Sequence, residues 1–97
     1  MYKITKYSFE QAKKLGVTIK PSSNQEKKID VFNKRGEKIA SIGALGMGDY
    51  PTYMRLEKEG KVEKGTAVKR RKLYKQRHES DRHTKGTNGF YADKILW

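Results

Sequence analysis

The run Thr66-Ala67-Val68-Lys69-Arg70-Arg71-Lys72-Leu73-Tyr74-Lys75-Gln76-Arg77-His78 is the feature that most limits what this chain can fold into. Ala67 to His78 contains no glycine or proline, and most of its residues favour a helix. Gly65 precedes the run, and the Thr66 hydroxyl suits the N-cap position. At 3.6 residues per turn, Ala67, Arg70, Tyr74 and Arg77 or His78 share one stripe. Val68, Arg71 and Leu73 flank it, and Lys69, Lys72, Lys75 and Gln76 turn away. The apolar face is narrow, supplied partly by Tyr74 and the aliphatic stems of the arginines. Such a helix packs on something small, or its arginines are pinned by carboxylates, carbonyls or phosphates.

The rest of the chain offers little to bury it with. Its 97 residues imply one small domain, with 34% hydrophobic residues and a mean hydropathy of -1.00. The core must be small, and some segments are expected to order fully only against a partner. The formal net charge is +12, from 23 Lys and Arg against 11 Asp and Glu, and from Lys61 to Trp97 the ratio is 11 to 4. Such a balance predicts salt-sensitive attraction to nucleic acid, an anionic membrane surface or acidic protein. There is no cysteine, so disulfides and cysteine-based zinc sites are excluded and a reducing compartment fits. The N-terminus has no apolar signal core and no stretch reaches the length of a membrane span, so the expectation is a soluble chain not exported by a standard route.

In chain order, Tyr2, Ile4 and Tyr7 alternate weakly, which suits an edge strand or an ordered arm. Ser8-Phe9-Glu10-Gln11 reads as a capping box, with Tyr7 stapling onto Ala12 and a short helix ending at Leu15 before Gly16. Val17-Thr18-Ile19 is strand-like, and Pro21-Ser22-Ser23-Asn24 breaks the pattern. Lys28 to Phe32 and Glu37 to Ile42 flank Asn33-Lys34-Arg35-Gly36, predicting a β-hairpin. Ile29 and Val31 are expected on one face opposite Ile39 and Ser41, with Phe32 on the other face beside Ile42 or Ala40. Asp49 is expected to cap a helix over Asp49 to Lys58, with Pro51 in its first turn and Gly60 at its end. Tyr50, Tyr53, Met54 and Glu57 would form that helix's inner face. Thr87 or Asn88 would cap a last helix whose Phe90, Tyr91, Ala92, Ile95, Leu96 and Trp97 complete the core. The fold class is therefore α+β: a small single domain, residues 1–97, with a β-hairpin packed against three or four short helices.

No constellation for catalysis is present, and the expectation is a protein that is not an enzyme, with no cofactor and no small-molecule substrate. The glycine-rich stretch Gly43 to Asp49 lacks the Gly-Lys-Ser/Thr of a phosphate loop, and Asp49 would occupy the place of a phosphate. His78 and His83 do not share a helix face and have no third ligand, so no metal site is expected. His78 would bond the last carbonyls of its helix or pack beside Trp97. The residues that remain are cations. Lys69, Arg70, Arg71, Lys72, Lys75, Arg77, His78 and Arg82 are candidates for binding a partner or nucleic acid, because arginine's planar fork suits carboxylate and phosphate. Tyr50, Tyr53, Tyr74 and Trp97 are candidate aromatic anchors. The competing reading of the same run is a solvated face that keeps the protein soluble.

Phe32, then Ile42-Gly43-Ala44-Leu45-Gly46-Met47-Gly48-Asp49-Tyr50, then Arg70-Arg71-Lys72-Leu73-Tyr74-Lys75-Gln76-Arg77-His78, then Gly89-Phe90-Tyr91-Ala92-Asp93-Lys94-Ile95-Leu96-Trp97 follow one another in this chain. The series resembles a family of small basic proteins of large nucleocytoplasmic double-stranded DNA viruses. Its members share a glycine turn followed by Asp-Tyr, an Arg-x-x-Tyr-x-x-Arg-His helix and a terminal Leu-Trp. The resemblance covers residues 29–97; residues 1–28, an N-terminal arm and short helix, fall outside it. It implies a virion protein, made and assembled in the host cytoplasm or nucleus. One expectation is a minor capsid or cementing protein that binds other viral structural proteins. The alternative is a packaging protein that binds double-stranded DNA without sequence preference.

Overall fold

The hairpin is the centre of the molecule. A computed structural model describes residues 2–97, with α1 at Lys6–Leu15, β1 at Thr18–Pro21, β2 at Lys27–Phe32 and β3 at Lys38–Ala44. Three helices follow: α2 at Tyr50–Lys58, α3 at Thr66–Arg77 and α4 at Asn88–Leu96. The hairpin strands β2 and β3 are joined by β1 in an antiparallel sheet of order β1-β2-β3. The α+β expectation holds, with three strands against four short helices. Pro21 ends the edge strand β1, a place where a missing N–H is tolerated.

The register differs from the expected one. Ile29 faces Ile42 and Val31 faces Ala40, so these four share the core face, while Ser41 lies on the other side with Asp30. Ile39 is partly buried and packs against the core cluster. Phe32 pairs with Lys38, and the ladder shifts between Val31 and Phe32. The cause is the loop, which runs from Asn33 through Glu37, one residue longer than the assumed turn. The Asn33 N–H donates to the Glu37 carbonyl at 2.9 Å, and Asn33 Oδ1 accepts from the N–H groups of Arg35 and Glu37. A one-residue slip exchanges the two faces of a strand.

Ile19, Ile29, Val31, Ala40 and Ile42 form the sheet's buried face, closed by Ala12 from α1 and by Ile95 and Leu96 from α4. The terminal segment thus completes the core, as expected. Each fully buried isoleucine or leucine contributes roughly 1.5–3 kcal/mol, a large share of the stability of so small a domain. The cap of α1 is Thr5, not Ser8: its hydroxyl accepts from the Ser8 N–H at 3.3 Å. Ser8 lies within the helix, fully buried, and its Oγ donates to the Ile95 carbonyl at 2.9 Å. A buried hydroxyl needs a partner, and this one ties α1 to α4. Tyr7 does not staple onto Ala12; its ring meets the edge of Tyr50 at 5.6 Å. Gly16 ends the helix as expected, at φ 74°, with its N–H on the Ala12 and Lys13 carbonyls.

The sheet's second face carries two buried charges. Asp30 accepts from the Ser22 and Ser41 hydroxyls at 2.6 and 2.7 Å and from the Ser23 N–H at 3.2 Å, with Lys38 at 3.7 Å. Lys28 reaches Asp49 and the Met47 carbonyl, at 2.8 and 2.6 Å. Asp49 also accepts from the Tyr2 hydroxyl and caps α2 through the Thr52 N–H, both at 2.8 Å. Burial, Asp49's charge and its hydrogen bond hold the Tyr2 phenol well above the usual tyrosine range.

Candidate functional site

The basic helix α3 is held by α2. Gly65, at φ 95°, precedes it in a left-handed conformation, and Thr66 is its first helical residue instead of its cap. The Thr66 hydroxyl donates to the Glu63 carbonyl at 2.6 Å. The capping acceptor comes from the neighbouring helix: Glu57 Oε1 accepts from the Ala67 N–H at 2.8 Å. A carboxylate at a helix N-terminus also opposes the helix dipole favourably. Glu57 therefore does face inward, and it fixes the start of α3.

The inner stripe of α3 is rotated from the expected one. Ala67 and Tyr74 are buried as expected, but Arg71 and Lys75 are the half-buried cations beside them, while Arg70 and Arg77 are exposed. Lys75 turns inward because α4 offers Asp93, fully buried, with Oδ1 2.7 Å from Lys75 Nζ. Arg82 and Lys94 approach the other oxygen at 3.6 and 3.7 Å, and that Oδ2 has no hydrogen bond.

Of the eight candidate binding residues, three are held within the chain. Lys75 belongs to Asp93, Arg82 lies 2.7 Å from Glu79 as well as near Asp93, and His78 Nδ1 lies 3.4 Å from Asp81. Hydrogen bonding to Glu79 raises the hold of Arg82 on its proton. Among the described residues, no carboxylate comes within ion-pair distance of Lys69, Arg70, Arg71, Lys72 or Arg77. Arg71 lies over the Tyr50 ring at 4.6 Å and Arg70 over Tyr53 at 5.6 Å, contacts that orient a guanidinium without neutralising it.

The candidate aromatic anchors pack on one another. Trp97 stacks on Tyr74 at 4.4 Å and 8°, Tyr74 lies against His78 at 4.4 Å, and Tyr53 meets Trp97 at 6.4 Å. His78 is therefore separated from Trp97 by Tyr74, and does not pack beside it. Burial, with Asp93 and Asp81 nearby, pushes the Tyr74 phenol up to about 12. Tyr53, Tyr74 and Trp97 line a cleft of about 540 Å³ between α3, α4 and the Gly43–Asp49 turn, with Arg70, Leu73 and Arg77 on its α3 side.

Two glycines of that turn, Gly43 and Gly48, serve packing. A Cβ on Gly43, at φ 77°, would stand 2.7 Å from Leu96 Cδ1 and 2.9 Å from Lys28 Cδ, and one on Gly48 would overlap the Tyr53 ring. Lys28 and Asp93 are the structural charges that sequence patterning missed. Alternation marks Lys28 only as a strand residue, and nothing local shows that an acid 21 positions later will meet it. Among the described residues no cluster of His, Cys, Asp and Glu is arranged to hold a metal ion, and no helix is long and apolar enough to cross a membrane. No family model, curated protein or solved structure matches the chain.

Proposed function

We propose that this protein is a non-enzymatic structural protein of a virus particle, a minor capsid or cementing piece held on larger subunits by the outer face of α3. One observation carries the reading: Lys69, Arg70, Arg71, Lys72 and Arg77, on a well-braced helix, have no carboxylate partner, although Lys75 and Arg82 of the same region do. A charged face of this kind is offset by counterions in the free protein and by an acidic surface in a complex. The viral setting rests on the motif series of residues 29–97. Exposed Leu73 and Met47 beside these cations favour protein over DNA, because a phosphate backbone has no use for apolar surface.

The second reading is a DNA-packaging role in the same particle. It is favoured by the length of α3, about 18 Å for its twelve residues, along which unpaired cations could follow a row of phosphates. Fractionating purified particles separates the two. The cementing reading expects the protein to stay with the shell when the genome is released, and to bind random duplex weakly at physiological salt. Retention on the genome, with a steep salt slope that flattens when Arg70, Arg71 and Lys72 become alanine, would replace it by the packaging role. Absence from particles would remove both.

A further inference from the structure

We propose that the cleft between α3, α4 and the Gly43–Asp49 turn receives a short acidic segment of the partner protein, one that carries a bulky apolar side chain between two carboxylates. This rests on the reading that α3 docks on protein, and it specifies the chemistry of what is docked.

The charge reachable in the cleft is positive. Asp49 is the one side-chain carboxylate of its lining, and it is fully buried and satisfied by Lys28, Tyr2 and the Thr52 N–H. Lys28 is consumed by the same contact, which leaves Arg70 and Arg77 at the rim without a carboxylate. A cationic or neutral polar segment would strand those guanidinium groups, whereas carboxylates would meet them bidentately.

The walls are apolar. Leu73 is 44% exposed on one side and Met47 62% exposed on the other, with the Trp97 and Tyr53 rings between them. In a chain so poor in hydrophobic residues, large exposed ones facing each other across a cleft mark an anchor site. A volume of about 540 Å³ holds one or two bulky side chains and excludes a nucleic-acid duplex. Arg70 and Arg77 are two turns apart, roughly 10 Å along the helix axis. A segment in the polyproline II conformation has three residues per turn and advances roughly 3.1 Å per residue. Carboxylates three residues apart then stand on one side, about 9 Å from each other, and would reach both, with the apolar residue between them turned toward the cleft.

Trp97 is the chain's single tryptophan and lies in this cleft, so its emission reports occupancy directly. Full-length protein is titrated into the millimolar range with three synthetic peptides, carrying Glu-Phe-Ser-Glu, Glu-Ser-Ser-Glu or Lys-Phe-Ser-Lys, and with random duplex DNA. The Glu-Phe-Ser-Glu peptide should give a saturable change in Trp97 emission, and the Glu-Ser-Ser-Glu peptide should bind about tenfold more weakly. Leu73→Glu and Met47→Ser, both at exposed positions, should each weaken the first peptide about tenfold while circular dichroism shows the fold intact. Equal binding of the two acidic peptides, no saturable change, indifference to both substitutions, or displacement of the peptide by duplex would each overturn the cleft proposal. The cementing role fails separately: it falls if the protein is absent from the shell, and it stands if Leu73→Glu protein still enters particles.

Discussion

Lys28 Nζ lies 2.8 Å from Asp49 Oδ2, and the two side chains are 5% and 1% exposed. This contact joins three parts of the chain that share no sequence neighbourhood. Lys28 comes from the middle strand, Asp49 caps α2, and the Tyr2 hydroxyl brings the N-terminal arm to the same carboxylate. Residues 2–28, outside the motif series, are therefore not a loose appendage. Their first described residue completes a polar centre on which the position of α2 depends, and α2 in turn sets α3 through Glu57.

Asp49→Ala should accordingly be among the most damaging substitutions. It leaves a buried ammonium with only the Met47 carbonyl and removes the cap of α2. Breaking a buried pair in this way costs about 3–5 kcal/mol. Lys28→Met should cost less, because Asp49 keeps the Tyr2 and Thr52 donors and the methionine refills the space. Urea unfolding of both variants checks the order; equal losses would mean that the Asp49 cap and the tyrosine add nothing.

Asp93 should behave as a charge sink for the α3–α4 side. Its carboxylate stands among Lys75, Arg82 and Lys94, so Asp93→Asn leaves three cations facing one another. Lys75 is 26% and Arg82 17% exposed, so water relieves part of the loss. A destabilisation of about 2 kcal/mol is expected, a fall in melting temperature of roughly 10 °C for a domain this size. Adding Lys75→Met should restore part of it. A double variant no better than the single one would show that Lys75 is not the partner that matters.

What could be read from the sequence was local. The Asp49 and Thr87 caps, the Gly16 stop and the proline in the first turn of α2 each follow from a few adjacent residues, and each stands. The basic helix stands too, though it starts at Thr66 with Gly65 before it. Most of the misreadings involve a distant group. Thr5 caps α1 because Ser8 is taken by a carbonyl 87 positions away. The α3 stripe is turned because Asp93 attracts Lys75 and Glu57 takes the Ala67 N–H. The hairpin faces were exchanged by one extra loop residue at Glu37, which no periodicity count resolves. For the candidate site, the cation run was legible. Which of its members are left without a partner was not.

Acid should weaken the fold through Asp30. Burial alone would raise its carboxyl, but hydrogen bonds from Ser22, Ser41 and the Ser23 N–H, with Lys38 nearby, outweigh it and hold the group at about 2 against the ordinary 3.8. A carboxyl lowered on folding contributes stability above its unfolded value, and that contribution drains away as pH falls through its folded one. The loss should lie between about pH 4 and about pH 2. Urea midpoints measured through this window should fall for the parent and stay flatter for Asp30→Asn, which starts lower at neutral pH. Parallel curves would place the acid sensitivity elsewhere.

Gly43→Ala tests what the glycine turn is for. The residue sits at φ 77°, and an added methyl would press on Leu96 and Lys28, one from the core and one from the buried ion pair. Strain and overpacking together should cost about 2–4 kcal/mol. Gly46→Ala meets nothing within 4 Å and carries only the positive-φ penalty at φ 87°, about 1 kcal/mol. Chemical denaturation ranks the two, and a Gly46 variant as damaged as the Gly43 one would contradict the packing account.

Arg71 and Arg77 should separate the structural arginines of α3 from those reserved for a partner. The Arg71 guanidinium lies 4.6 Å over Tyr50, and the residue is half-buried, so its stem and its charge both contribute to the α2–α3 contact. Arg71→Ala should lose about 1 kcal/mol, visible as a melting temperature lower by roughly 4–8 °C. Arg77 is exposed and has no carboxylate within reach, so Arg77→Ala should change stability by less than about 0.5 kcal/mol. Under the proposed role it should still weaken attachment to the shell and to the acidic peptide, because the rim of the cleft then holds one guanidinium instead of two. A marked drop in melting temperature for Arg77→Ala, with attachment unchanged, would make this arginine part of the scaffold and leave the outer face of α3 without its proposed use.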